Sequence, residues 1–114
     1  MQVGLTVQYK DEMPKKMEAV IRTFADNRDT VELLWIGDAE HDTFLNRYDS
    51  RLAQEYDRIR TRFINGGLGR YIDRTDASVA EIIAMCDAYY GSESHIALEF
   101  EVEKKPVMIM DVEV

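Results

Sequence analysis

The fold class turns on Ile96-Ala97-Leu98-Glu99-Phe100-Glu101-Val102, then Glu103-Lys104-Lys105-Pro106, then Val107-Met108-Ile109-Met110-Asp111-Val112-Glu113-Val114. Ile96, Leu98, Phe100 and Val102 alternate with Ala97, Glu99, Glu101 and Glu103, and Met108, Met110, Val112 and Val114 alternate beyond Pro106. A period of two marks a half-buried strand, so the pattern predicts a C-terminal β-hairpin. Two registers compete. Val102 opposite Val107 sets Asp111 against Leu98 on the core face. Val102 opposite Met108 aligns Phe100 with Met110, Leu98 with Val112 and Ile96 with Val114. The second is preferred, because a one-residue slip exchanges the two faces of a strand. It requires an odd-length, bulged turn around Lys104-Lys105-Pro106.

Upstream, Gly91 closes a segment in which Val79, Ile82, Ile83, Cys86 and Tyr89 or Tyr90 recur at helical spacing. Asp76 or Ser78 can cap it, and Ser78 with Glu81 forms a capping box. Leu68 to Arg74 reads as a connector, with a short strand at Arg70-Tyr71-Ile72. Before it, Leu45, Tyr48, Leu52, Tyr56, Ile59 and Phe63 step by three or four and fall within about 80° of a helical wheel. They predict one helix from about 39 to 64, capped by Asp38 and closed by Asn65-Gly66-Gly67. Val31-Glu32-Leu33-Leu34-Trp35-Ile36 reads as a strand covered on both faces. Met13, Met17, Val20, Ile21 and Phe24 predict a helix that opens at Pro14 and ends around Asn27. Val3, Leu5, Val7 and Tyr9 alternate with Gln2, Gly4, Thr6 and Gln8, a strand with one polar side. Strand, helix, strand in that order favours a right-handed crossover and a parallel pair.

The predicted fold class is therefore α+β. It is one domain over residues 1–114, a mixed four-stranded sheet with three helices, in the order β-α-β-α-α-β-β with a C-terminal hairpin. The helices are expected on one face, leaving the other polar and open.

The 114 residues carry 22 acids against 14 bases, a net charge of -8. That balance argues against a general phosphate-backbone binder, and a hydrophobic share of 46% argues against disorder. The first residues lack a basic, apolar leader, and no apolar run approaches the length of a membrane span. The expected location is cytoplasmic, with no membrane partner. A single cysteine, Cys86, excludes an internal disulfide and reads as a small core residue.

Charge is unevenly distributed. Residues 1–74 hold 13 acids and 12 bases, whereas residues 75–114 hold 9 acids and 2 bases. In the hairpin register, Glu99, Glu101, Glu103, Asp111 and Glu113 share the outer face. They are the candidate contact with a protein partner that has a basic surface, and with solvent alone they would keep an open sheet face soluble. Arg47, Arg51, Arg58 and Arg62 share one flank of the long helix, and Arg70 and Arg74 follow. These are the candidate anion- or partner-binding residues, arginine being suited to bidentate contact with carboxylate or phosphate. Pairs such as Arg51 with Glu55 would instead make that flank an ordinary solvated one. An acidic hairpin on the arginine flank of a second copy would make a homodimer.

Catalytic patterns are sparse. His41 beside Asp42 lacks further ligands at metal-binding spacing, and no HExxH or CxxC is present. Ser92-Glu93-Ser94-His95 lacks the glycine-flanked turn of a nucleophilic serine. Gly66-Gly67-Leu68-Gly69 follows a helix, where a phosphate loop would open one. Glu103-Lys104-Lys105 at a hairpin tip lacks a convergent acidic partner. No cofactor or metal is expected. The leading function is a small, non-enzymatic interaction protein, an inhibitor of a nucleic-acid-handling enzyme of the anti-restriction or anti-CRISPR kind, whose carboxylates occupy a basic cleft. The alternatives are an RNA or anionic-ligand module on the arginine helix, and a small enzyme using His41 or His95. Nucleic acid ranks below a protein as partner.

Overall fold

The computed structural model describes residues 1–6, 13–27, 29–91 and 95–109. Its elements are β1 (Gln2–Thr6), α1 (Met13–Asp26), β2 (Glu32–Gly37), α2 (Ala39–Tyr48), α3 (Ser50–Asn65), β3 (Arg70–Asp73), α4 (Val79–Met85), β4 (Ala88–Gly91), α5 (His95–Val102) and β5 (Val107–Ile109). One sheet has the order β3-β2-β1-β4-β5. Every pairing is parallel, with Gly4 opposite Leu34 and Tyr89, and Tyr89 opposite Val107.

The parallel β1–β2 pair, the strand at Arg70 and the Ser78–Glu81 capping box agree with the sequence reading. The hairpin does not form. Residues 95–102 are a helix that buries Ile96, Ala97 and Phe100, and the alternating register between Val102 and Met108 disappears with it. The physical reason is that Ile96 and Phe100 satisfy a helical spacing as well as a strand spacing. The competing demand is β4, which takes the place beside β1. A strand that joins β4 in parallel needs a crossover, and α5 supplies it. Among the described residues the sheet therefore has five parallel strands, and five helices accompany it.

Two further expectations change. The helix expected over 39–64 is split at Asp49. Its backbone N–H donates to the Leu45 carbonyl at 2.7 Å, and its side chain accepts from the Leu52 N–H at 3.2 Å. One residue thus ends α2 and caps α3. The helix expected through Tyr90 stops at Met85, and Ala88-Tyr89-Tyr90-Gly91 becomes the strand β4.

Helices cover both sheet faces. Against α1 and α3 lie Val3, Leu5, Leu33, Trp35 and Ala88, packed on Met17, Ile21, Tyr56, Ile59 and Phe63. Against α4 and α5 lie Leu34, Ile36 and Tyr89, packed on Ile82, Ile83, Cys86, Ile96 and Phe100. The supposedly open face of β1 is closed because Gly4 leaves room for its neighbours. A Cβ there would lie 3.1 Å from Cys86 Sγ, 3.2 Å from Ile36 Cδ1 and 3.3 Å from Phe100 Cζ. Arg60, only 14% exposed, ties α3 to α2 through Asp42 at 2.8 Å and lies over the Tyr71 ring at 5.6 Å. Burial raises the Tyr71 phenol pKa, and the Arg60 cation opposes the rise.

Candidate functional site

In a parallel sheet every strand ends on the same edge. Here Thr6, Gly37, Asp73 and Gly91 close β1, β2, β3 and β4 at that carboxyl edge. The strand order runs outward from β1 in two directions, through β2 and β3 on one side and β4 and β5 on the other. The chain therefore leaves β1 and β4 toward opposite faces, and the crevice of a doubly wound sheet opens between those two ends. The two strands approach closely at that point. The buried Tyr89 hydroxyl and Thr6 Oγ1 share a hydrogen bond, and Gly91 lies beside the Thr6 backbone.

Arg74 and Asp38 lie at the same edge, 3.7 Å apart, and the Arg74 N–H donates to the Gly37 carbonyl at 2.9 Å. Asp38 also caps α2 by accepting from the Glu40 N–H at 3.0 Å. Asp73 Oδ1 accepts from the Thr75 N–H and hydroxyl, which turns the chain toward α4. His95 is the first residue of α5, the helix that follows β4.

From Arg74 and His95 a groove of about 350 Å³ runs between α4 and α5. Val79, Ala80, Ile83 and Ile96 form its apolar walls, and Glu99, Glu103 and Lys105 lie along it. Lys105 is committed, because its Nζ donates to the Ile83 carbonyl at 2.6 Å and the Cys86 carbonyl at 2.7 Å. A cation at the end of α4 is well placed to satisfy carbonyls that the helix leaves open.

The sequence-derived candidates scatter. Glu99 and Glu103 line the groove, whereas Glu101 occupies another side of α5. Asp111 and Glu113 lie outside the described residues, as do Ser92, Glu93 and Ser94. Arg47 sits in the last turn of α2, separated by the Asp49 break from Arg51, Arg58 and Arg62 on α3. Arg62 pairs with Glu18 of α1 at 3.1 Å. Arg70 starts β3 and Arg74 follows its end, so they occupy opposite edges of the sheet. His41 is in the first turn of α2, and its side chain lies outside the described residues. The contributions of Thr6, Tyr89 and Lys105 were missed. Lys105 enters the sequence reading only as part of Glu103-Lys104-Lys105 at a hairpin tip, and Thr6 and Tyr89 meet only through the pairing of β1 with β4.

Among the described residues no three His, Cys, Asp or Glu side chains form a group that could hold a metal ion. No helix among them is long and apolar enough to cross a membrane. Cys86 is a free, buried thiol. Burial pushes it from an ordinary 9.0 up to about 11, with the Lys105 cation opposing part of the rise. It should therefore resist iodoacetamide at neutral pH in the folded chain and react fully in urea. The folded pKa lies above the unfolded one, so the unfolded thiol ionises first. Stability should fall as pH rises from 9.0 toward about 11, read as a falling urea midpoint.

No family model matches the sequence, and no curated protein matches it. Among solved structures, a protein from the universal stress protein family of Burkholderia pseudomallei is similar over 95% of this chain and 94% of that chain, with 10% identity and a TM-score of 0.47. A likeness at that level fixes neither family nor function.

Proposed function

We propose that the chain binds a small phosphorylated molecule, a nucleotide or sugar phosphate, at the carboxyl edge and in the groove between α4 and α5. The observation that carries this reading is the reversal of strand order at β1 and β4, the place where doubly wound parallel sheets accept ligands. The groove volume of about 350 Å³ falls in the range of small-molecule sites. Its chemistry selects the class. Arg74, held only loosely by Asp38, and His95 offer donors to a phosphate at the edge. Glu99, farther along, accepts hydrogen bonds from hydroxyl or amino groups, and the apolar walls cover a ring. A phosphate at one end and hydrogen-bond donors at the other fit this order of groups.

The reading as a mimic of nucleic acid loses its main support, since the single carboxylate face depended on the hairpin. Calorimetric titration of the full chain with a panel of nucleotides and sugar phosphates tests the proposal. At least one should bind, and Arg74→Ala should weaken it by about tenfold or more, as for loss of a charge-assisted contact. Absence of binding across the panel, or affinity indifferent to Arg74, would overturn it.

A further inference from the structure

α5 is apolar on two opposite sides. Ile96, Ala97 and Phe100 enter the core, and Leu98 and Val102 project from the far side, 56% and 71% exposed. A helix with a second apolar side facing away from the core offers a surface that a partner can cover. On the edge strand β5, Ile109, on the same sheet face as Val107 and α5, is 46% exposed. Carboxylates rim this ridge, Glu101 on one flank and Glu99 on the other.

The opposite layer of the molecule carries the inverse surface. A shallow groove of about 220 Å³ runs between α1 and α3. Ile21, Ala25, Ile59, Phe63 and Leu68 form its floor, and Arg22 and Arg62 stand on its rim. Arg51 and Arg58 continue the exposed stripe of Arg62 along α3, within about 40° of a helical wheel. Two carboxylates accompany the four arginines: Glu18 pairs with Arg62 at 3.1 Å, and Glu55 lies within the α3 stripe, so the surface keeps an excess of positive charge.

We propose that the α5 ridge of one copy docks in the α1–α3 groove of a second copy. Leu98 and Val102 meet the apolar floor, and the flanking glutamates meet Arg22, Arg58 and Arg62. Charge complementarity selects this occupant: arginines outnumber carboxylates around the groove, and the ridge supplies an apolar strip flanked by anions. Ridge and groove lie on opposite faces of the sheet. The contact is therefore heterologous, and two copies do not close it. Each copy keeps one free ridge or groove, so assembly extends head to tail with concentration.

Sedimentation velocity of the full chain tests this from about 10 μM to about 1 mM, the range of weak interfaces. The mass should rise with concentration and fall back in about 0.5 M salt, which screens exposed pairs. A ridge variant, Leu98→Gln with Glu101→Gln and Val102→Gln, leaves Glu99 of the ligand groove in place. A groove variant carries Arg22→Glu and Arg62→Glu. Each alone should be monomeric, with unchanged circular dichroism. Mixed in equal amounts they should form a heterodimer and nothing larger, because one intact ridge meets one intact groove. A wild-type chain that stays monomeric throughout, a mass insensitive to salt, or variants that assemble as the wild type does would each overturn the proposal.

Discussion

Gly91→Ala should unfold the chain or cost it more than about 3 kcal/mol, a lowering of Tm by more than about 12 °C. Two effects add at this position. Gly91 adopts φ of 154°, a conformation that residues with a Cβ rarely enter. A Cβ would also strike the backbone of Thr6, its carbonyl oxygen first, with the nitrogen at 2.9 Å and the carbonyl carbon at 3.1 Å. Backbone in a paired strand cannot rotate away as a side chain does. Gly4 provides the contrast, since its neighbours are the side-chain atoms Cys86 Sγ, Ile36 Cδ1 and Phe100 Cζ. Those can yield by a few tenths of an ångström, so Gly4→Ala should lose much less than Gly91→Ala. Thermal melts followed by circular dichroism compare the two, and equal losses would mean that β1 and β4 are not in close approach.

Phe100→Ala should cost about 3–5 kcal/mol, the usual loss for a fully buried aromatic ring. Phe100 is 0% exposed, 5.2 Å from the Tyr89 ring between centroids, and fills the space above Gly4. The same experiment separates helix from hairpin. A strand would bury Ile96, Leu98, Phe100 and Val102 together. The helix buries Ile96 and Phe100 and exposes Leu98 and Val102. Leu98→Ala and Val102→Ala should each therefore shift stability by no more than about 0.5 kcal/mol in dilute solution. Chemical denaturation of the three variants reads this directly. A large loss at Leu98 would restore the hairpin.

These residues also mark how far the sequence could be read. Where one pattern had one interpretation, it was read well: β2 as an apolar run, β1 as its parallel neighbour, α4 from its capping box, and the Asp38 cap. Where a segment is short, spacing is degenerate. Ile96 and Phe100 lie four apart, which fits both periods, and Tyr89 continues the helical spacing of Ile82 and Cys86 although it belongs to a strand. The Asp49 break hid because Leu45, Tyr48 and Leu52 keep their spacing across it, while Tyr48 is in fact 69% exposed.

The candidate site was less legible than the fold. Sequence drew attention to charge, but charge does not say which groups meet. Arg60 is the most enclosed arginine among the described residues, yet it stands outside the stripe of Arg47, Arg51, Arg58 and Arg62. Arg74 and His95 were named for separate reasons, and only the parallel sheet sets them along one groove. The crevice between β1 and β4 depends on strand order, which local pattern does not encode.

The central position of β1 has a consequence for how the chain is born. Its first neighbour, β2, is about 30 residues away, with Val3 opposite Leu33, but its second, β4, arrives only with Ala88. As the chain emerges from a ribosome, β1, β2 and β3 with α1–α3 can assemble before β4 exists. During that interval one edge of the future central strand stands open, and Leu34 and Ile36 lack the α4 and α5 side chains that later cover them. The late, long-range closure by β4 is the slow step expected of parallel pairing across a distant sequence separation. A nascent chain stalled before Tyr89 would thus expose an edge that the finished molecule hides, and chaperone capture should peak in that window.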